Sequence, residues 1–231
     1  MTPWGRVGSN MFMGIVKQLT RDRAGKYDNE KFNEITDADE QERWLTEFFS
    51  ETEELDLVGS KQNILSIREP RTVGRVLRDQ RVALIRMRRA NVLKVAVSQL
   101  RAEIYARKTL AQDGTAMWGV RSGGIPLGPS ELDPRRFLTA VKTAKSADEK
   151  ILAFRPDLPT LDIDYRELQA DPGRIVRYAC RWLGLDVSGE VSPGFIKATP
   201  DDLATAVPNL AELRAALAQS RMAALAPMFD E

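Results

Sequence analysis

Arg6-Val7-Gly8-Ser9-Asn10 sets a cation and a glycine turn directly before residues 10 to 19, a run that reads as a helix with Ser9 or Asn10 as its N-cap. A turn entering a helix suits an anion, because unpaired backbone N–H groups and the positive end of the helix dipole face the same point. A second cationic segment, Arg86-Met87-Arg88-Arg89-Ala90-Asn91, ends a β-rich run and leads into a helix that carries Ser98. Each string taken alone is equally compatible with an ordinary surface turn. Gly-x-x-x-x-Gly-Lys-Ser/Thr occurs nowhere, which argues against a loop built to hydrolyse nucleoside triphosphates. The chain has no histidine, so the commonest general base, metal ligand and triad member is missing and carboxylates must do any base work.

Across 231 residues, 34 Lys and Arg balance 33 Asp and Glu. No overall field therefore draws the protein to nucleic acid or to an anionic membrane, and any anion site is local. The length and a hydrophobic content of 43% fit one globular domain spanning residues 1–231. The single cysteine, Cys180, lies in an apolar pattern with Ile175, Val176, Ala179 and Leu183 and reads as a buried structural thiol. No apolar stretch approaches the roughly 20 residues of a membrane span, and the N-terminus lacks the charged start and apolar core of a signal peptide, which predicts a cytoplasmic protein. Composition leaves a homo-oligomer open.

The elements that must position these residues follow from apolar periodicity. Helices are expected over 38–50, 70–78, 91–111, 133–154, 171–183 and 209–225, with Asp133 and Asp171 each standing before a proline as caps. Strands are expected over 55–67, 81–86 and 158–165. Residues 20–37 read as polar and irregular, and residues 112–130, with five glycines and two prolines, read as a functional loop. Strands separated by helices predict an α/β fold with a parallel sheet covered on both faces and a ligand at the carboxyl ends of its strands.

The first two segments together resemble bacterial carbohydrate-type sulfotransferases, the group that includes nodulation and trehalose sulfotransferases. There Arg-x-Gly-Ser is followed by Leu-x-Arg-x-Asn and a Ser seven residues after the Asn, a spacing met by Arg89, Asn91 and Ser98. The resemblance extends in order along the chain: Glu30-Lys31-Phe32-Asn33 is similar to the family's Glu-x-Phe-Asn, Gly59-Ser60-Lys61 to its Gly-Phe-Lys, and Trp118 falls in its Gly-x-Trp loop. Tyr165-Arg166-Glu167-Leu168, Asp171-Pro172 and Trp182-Leu183-Gly184-Leu185 match its later strings, and Lys197 and Asn209-Leu210 its closing region.

The resemblance implies a P-loop-like three-layer sandwich, a short central parallel sheet flanked by helices. It implies a co-substrate, 3′-phosphoadenosine-5′-phosphosulfate (PAPS), with PAP as product, no required metal, and a small-molecule or glycan acceptor. Arg6, Val7, Gly8, Ser9 and Asn10 would hold the 5′-phosphosulfate, Arg6 also meeting the bridging oxygen as a catalytic cation. Arg89 and Ser98 would hold the 3′-phosphate, with Arg88 the alternative if the register differs by one. Glu30 would be the general base, Lys197 and Lys61 additional phosphate or substrate contacts, and Trp118 a wall of the acceptor site. Three departures stand out: Arg166 replaces a usual Glu, Ser60 a usual Phe, read as packing changes, and Ala90 a frequent Arg. Only Met1–Gly5 precede the loop, which leaves a very short first strand or a start further upstream. The rival readings are a P-loop kinase or NTPase and an inactive relative that binds PAP.

Overall fold

The computed structural model describes residues 8–28, 31–50, 54–115, 117, 120–121, 123–125, 127–192, 194–196, 199–200 and 202–230. In chain order the elements are α1 (Ser9–Leu19), β1 (Gly25–Asp28), α2 (Lys31–Glu34), α3 (Ala38–Ser50), β2 (Leu57–Ser60), α4 (Pro70–Asp79) and β3 (Leu84–Arg88). Then follow α5 (Val92–Asp113), β4 (Val120–Arg121), α6 (Pro134–Ala153), β5 (Thr160–Asp164), α7 (Tyr165–Ala170) and α8 (Pro172–Trp182). The last are β6 (Phe195–Ile196), α9 (Leu203–Ala206) and α10 (Leu210–Ala218), with short 3-10 turns at Ile64–Ser66 and Ala223–Phe229.

The fold is mixed α/β, with short parallel strand pairs flanked by helices. β1 pairs with β2 and β3 with β5, both parallel, while β4 and β6 form a small antiparallel pair. The chain divides into two compact units, residues 1–88 with 147–192, and residues 89–146 with 193–231. Neither unit is a continuous stretch of sequence, and α6 begins in the second and ends in the first.

In the first unit, alternation along β3 sends side chains to two apolar clusters. Leu84 packs with Val73, Val76 and Leu77 of α4, Leu45 and Phe48 of α3, and Ile151 near the end of α6. Met87, joined by Ile163 of β5, packs with Phe12, Ile15 and Val16 of α1 and with Ile175, Val176, Ala179 and Cys180 of α8. The β3–β5 ladder is therefore covered by helices on both faces, the arrangement expected of a buried parallel pair. Arg86 takes the remaining inward place on β3 and is buried; its Nε and Nη2 donate to the two oxygens of Asp162 on β5 at 2.7 and 2.6 Å, and its Nη1 to the Phe154 carbonyl at 3.2 Å.

In the second unit α5 is the long element. Asn91 caps it, its Oδ1 accepting from the Lys94 amide at 2.9 Å, and Gly114 closes it in a left-handed conformation with φ 67°. Leu93 and Val97 of α5, Phe137 and Val141 of α6, and Leu213 and Leu217 of α10 are all fully buried, and Phe137 stacks on Phe229 at 6.0 Å.

Several expectations are corrected. Residues 20–37 contain β1 and α2 where irregular chain was expected. The strand expected over 55–67 stops at Ser60 and gives way to a 3-10 turn. The strand expected over 81–86 starts three residues later, because Arg81 takes a positive φ of 52° and the Val82 amide turns back to the Leu77 carbonyl; pairing begins where the Leu84 amide meets the Pro159 carbonyl. The last helix ends at Ala218 rather than near 225. Asp133 and Asp171 cap as expected, accepting from the Arg136 and Arg174 amides at 2.7 and 2.9 Å. No described helix is long and apolar enough to cross a membrane.

Candidate functional site

In the first unit the chain enters α1 through Gly8, whose φ of 79° is left-handed. The left-handed backbone favours glycine, and a Cβ there would lie 2.8 Å from Leu168 Cδ2 and displace that side chain. Gly8 is the N-cap residue and no side chain caps the helix, which corrects the expectation that Ser9 or Asn10 would. The first intrahelical bond runs from the Phe12 amide to the Gly8 carbonyl, so the amides before Phe12 have no carbonyl within the helix to donate to.

Three separate segments meet beside this turn. Lys61, just past β2, donates through Nζ to Asn10 Oδ1 at 2.7 Å, and its amide donates to the Asp28 carbonyl at 2.8 Å. Asn33 of α2 reaches the Lys61 carbonyl through Nδ2 at 3.5 Å, while its Oδ1 accepts from the Asn63 amide at 2.8 Å. Asp28, the buried last residue of β1, accepts from the Lys31 amide through Oδ1 at 2.9 Å and from Ser60 Oγ through Oδ2 at 3.0 Å. Ser60 is thus a hydrogen-bond donor to a buried carboxylate, not the packing change expected from its place in the sequence.

Beside β2 and β3 the described residues line an open cavity of about 430 Å³, with apolar walls such as Phe12, Leu84 and Met87 and a polar part that includes Ser9, Ser60 and Lys61. Lys61 on this wall ties the cavity to Asn10 through its Nζ and to the Asp28 carbonyl through its amide.

Arg88, at the end of β3, is already engaged. Its Nε and Nη2 each donate to an oxygen of Asp148 at 2.8 Å, and that hydrogen-bonded pairing raises the guanidinium above its ordinary value against the opposing cost of burial.

In the second unit, Arg89 and Ser98 are both buried. Asn91 between them serves as the α5 cap and also donates through Nδ2 to the Met228 carbonyl at 2.6 Å. Two further buried cations on α5 escaped the sequence reading. Lys94 has no ion-pair partner among the described residues. Arg101 is 3% exposed and meets only carbonyls, Ala206 at 2.6 Å, Leu127 at 2.8 Å and Gly128 at 3.2 Å, with its Nε unpartnered. Burial lowers its pKa from the ordinary arginine value. The signal was present: 94, 98 and 101 are spaced i, i+4, i+7 and share one helical face. Arg101, with Asn209 bonding both the amide and the carbonyl of Leu132 at 3.1 and 2.9 Å, fastens the end of the glycine-rich loop.

Arg6, Val7, Glu30, Trp118 and Lys197 lie outside the described residues. Among the described residues no cluster of three or more acidic or cysteine side chains could hold a metal ion.

No protein-family model matches the chain, and no curated protein matches it. Among solved structures the chain is similar to the crystal structure of a sulfotransferase from Alicyclobacillus acidocaldarius, with 16% sequence identity, 95% of each chain covered and a TM-score of 0.47.

Proposed function

We propose that the protein is a single-domain PAPS-dependent sulfotransferase that moves a sulfuryl group to a hydroxyl of a small molecule, a sugar or glycoconjugate. The observation that carries this reading is the junction of Asn10, Asn33 and Lys61. These residues come from three of the segments that resemble the family, and they are joined by hydrogen bonds beside a helix start with no side-chain cap.

In the proposed reaction the acceptor oxygen attacks sulfur in line. An O–S bond forms, the bond from sulfur to the bridging phosphate oxygen breaks, PAP leaves, and the hydroxyl proton passes to the Glu30 carboxylate. Arg6 and the backbone of residues 8–10 offset charge on the phosphosulfate, helped by the α1 dipole. Lys61 is a cation of the same cluster and contacts phosphosulfate or acceptor. Arg89 and Ser98 bind the 3′-phosphate, supported by their burial and by the engagement of Arg88 with Asp148. Lys197 adds a phosphate contact and Trp118 a wall for the acceptor. As in phosphoryl transfer, positioning and electrostatics supply most of the catalysis.

The test is transfer of labelled sulfate from PAPS to a panel of sugar acceptors, with PAP released in equal amount. Glu30→Gln is expected to keep PAP binding while turnover falls about 100-fold or more, the usual share of a general base. Binding of PAP with no transfer to any acceptor would make the protein an inactive relative, and Mg²⁺-dependent ATP turnover would make it a kinase or NTPase.

A further inference from the structure

Asp28 is a carboxylate only 9% exposed, and among the described residues it has no cationic partner. Its two oxygens are taken by neutral donors, the Lys31 amide at 2.9 Å and the Ser60 hydroxyl at 3.0 Å. Burying a charge against dipoles alone is costly, so what such a group supplies is orientation rather than stability. The Lys31 bond has the spacing of a helix cap, but a cap accounts for neither Oδ2 nor Ser60. The carboxylate thus bridges the Lys31 amide and Ser60 of β2. The backbone repeats the attachment, because the Asp28 carbonyl accepts from the Lys61 amide at 2.8 Å and the Lys61 ammonium holds Asn10 of the loop at 2.7 Å.

We propose that Ser60 and the Asp28 carboxylate form a positioning pair that anchors Asp28 and Lys31, the two ends of the stretch 28–31, beside Lys61 and Asn10. This role rests on Glu30, which lies within that stretch, being the general base. Ser60 donates to the carboxylate from β2, so the pair joins two strands as well as two side chains. Misplacing a reacting group by about 1 Å costs up to roughly a hundredfold in rate, so loss of one of two anchoring bonds is expected to show in turnover rather than in donor affinity.

The experiment compares Ser60→Ala, Ser60→Thr and Asp28→Asn in the full chain, measuring kcat and KM with PAPS, PAP affinity by calorimetry, and melting temperature. Ser60→Ala is expected to lower kcat by about tenfold, with PAP affinity within twofold of the parent. Ser60→Thr, which keeps the hydroxyl and suits a strand, restores kcat to within about twofold. Asp28→Asn is expected to lower kcat at least as far as Ser60→Ala. Ser60→Ala with kcat within twofold of the parent overturns the proposal. So does a loss of kcat that threonine does not restore, or one that PAP affinity and melting temperature follow in parallel, since those mark a merely structural contact. A parent protein with no sulfate transfer removes the sulfotransferase reading itself, whereas an active parent indifferent to Ser60→Ala removes only the positioning pair.

Discussion

Arg88 and Arg89 are neighbours in sequence with different surroundings. Arg88 forks onto both oxygens of Asp148, whereas Arg89 is buried in the second unit. If Arg89 holds the 3′-phosphate, Arg89→Ala weakens PAP binding by about 2 kcal/mol, roughly thirtyfold in Kd, as loss of a charge-assisted bond does. Arg88→Ala leaves PAP affinity within twofold and instead lowers stability by about 1 kcal/mol, because the Asp148 carboxylate loses its partner. Calorimetry with PAP and urea denaturation of the two variants separate these outcomes; a loss of PAP affinity in Arg88→Ala alone would reverse the register. At this scale the motifs were legible because glycine, arginine and asparagine state their chemistry locally. The bond from Ser60 to Asp28 was not, since it joins positions 32 apart in sequence and no local pattern encodes it. Arg101 was hidden for another reason: a helical wheel drawn for apolar residues passes over a buried guanidinium.

The parallel pair β3–β5 carries the clearest dependence on pH among the elements. The Asp162 pKa is lowered first by its hydrogen bond to Arg86, against a smaller desolvation effect that raises it. A carboxyl depressed in the folded state contributes stability above its unfolded pKa and loses it as pH falls through the folded value. Asp162→Asn is therefore expected to be less stable than the parent by about 1 kcal/mol at pH 7, a modest figure because the Asp162 side chain is 60% exposed to screening solvent. The difference should shrink below about pH 4 as the parent's carboxyl protonates, which urea titrations at pH 7 and pH 3 measure. A difference that stays constant with pH would mean that the Arg86 pairing does not drive it. Helices α3, α4, α6 and α8 were legible to within about a residue because a periodic apolar face was bounded by a proline or an aspartate cap. β1 was not, because Gly-Lys-Tyr-Asp buries only its last residue and its pairing with β2 is decided at a distance. β3 was displaced because tertiary pairing with β5, not the apolar run, sets where it begins.

On the scale of the molecule, each of the two units is assembled from stretches separated in sequence, and α6 contributes residues to both. No single cut of the chain yields either unit as a continuous fragment. We therefore expect one cooperative unfolding transition, with far-ultraviolet circular dichroism and tryptophan fluorescence giving the same urea midpoint; two separated midpoints would mean that the units unfold independently. The enclosed Cys180 offers a way to watch this without altering the protein. It is the chain's one thiol, sits on α8 with 0% exposure, and burial pushes its pKa up, so in the native state it is neither reachable nor nucleophilic. A chromogenic disulfide reagent can then couple only when the core around α8 opens, and the rate of colour development becomes a clock for that opening. Run with and without PAP, the same clock reports whether ligand binding is felt deep in the first unit, with no label, mutation or acceptor required.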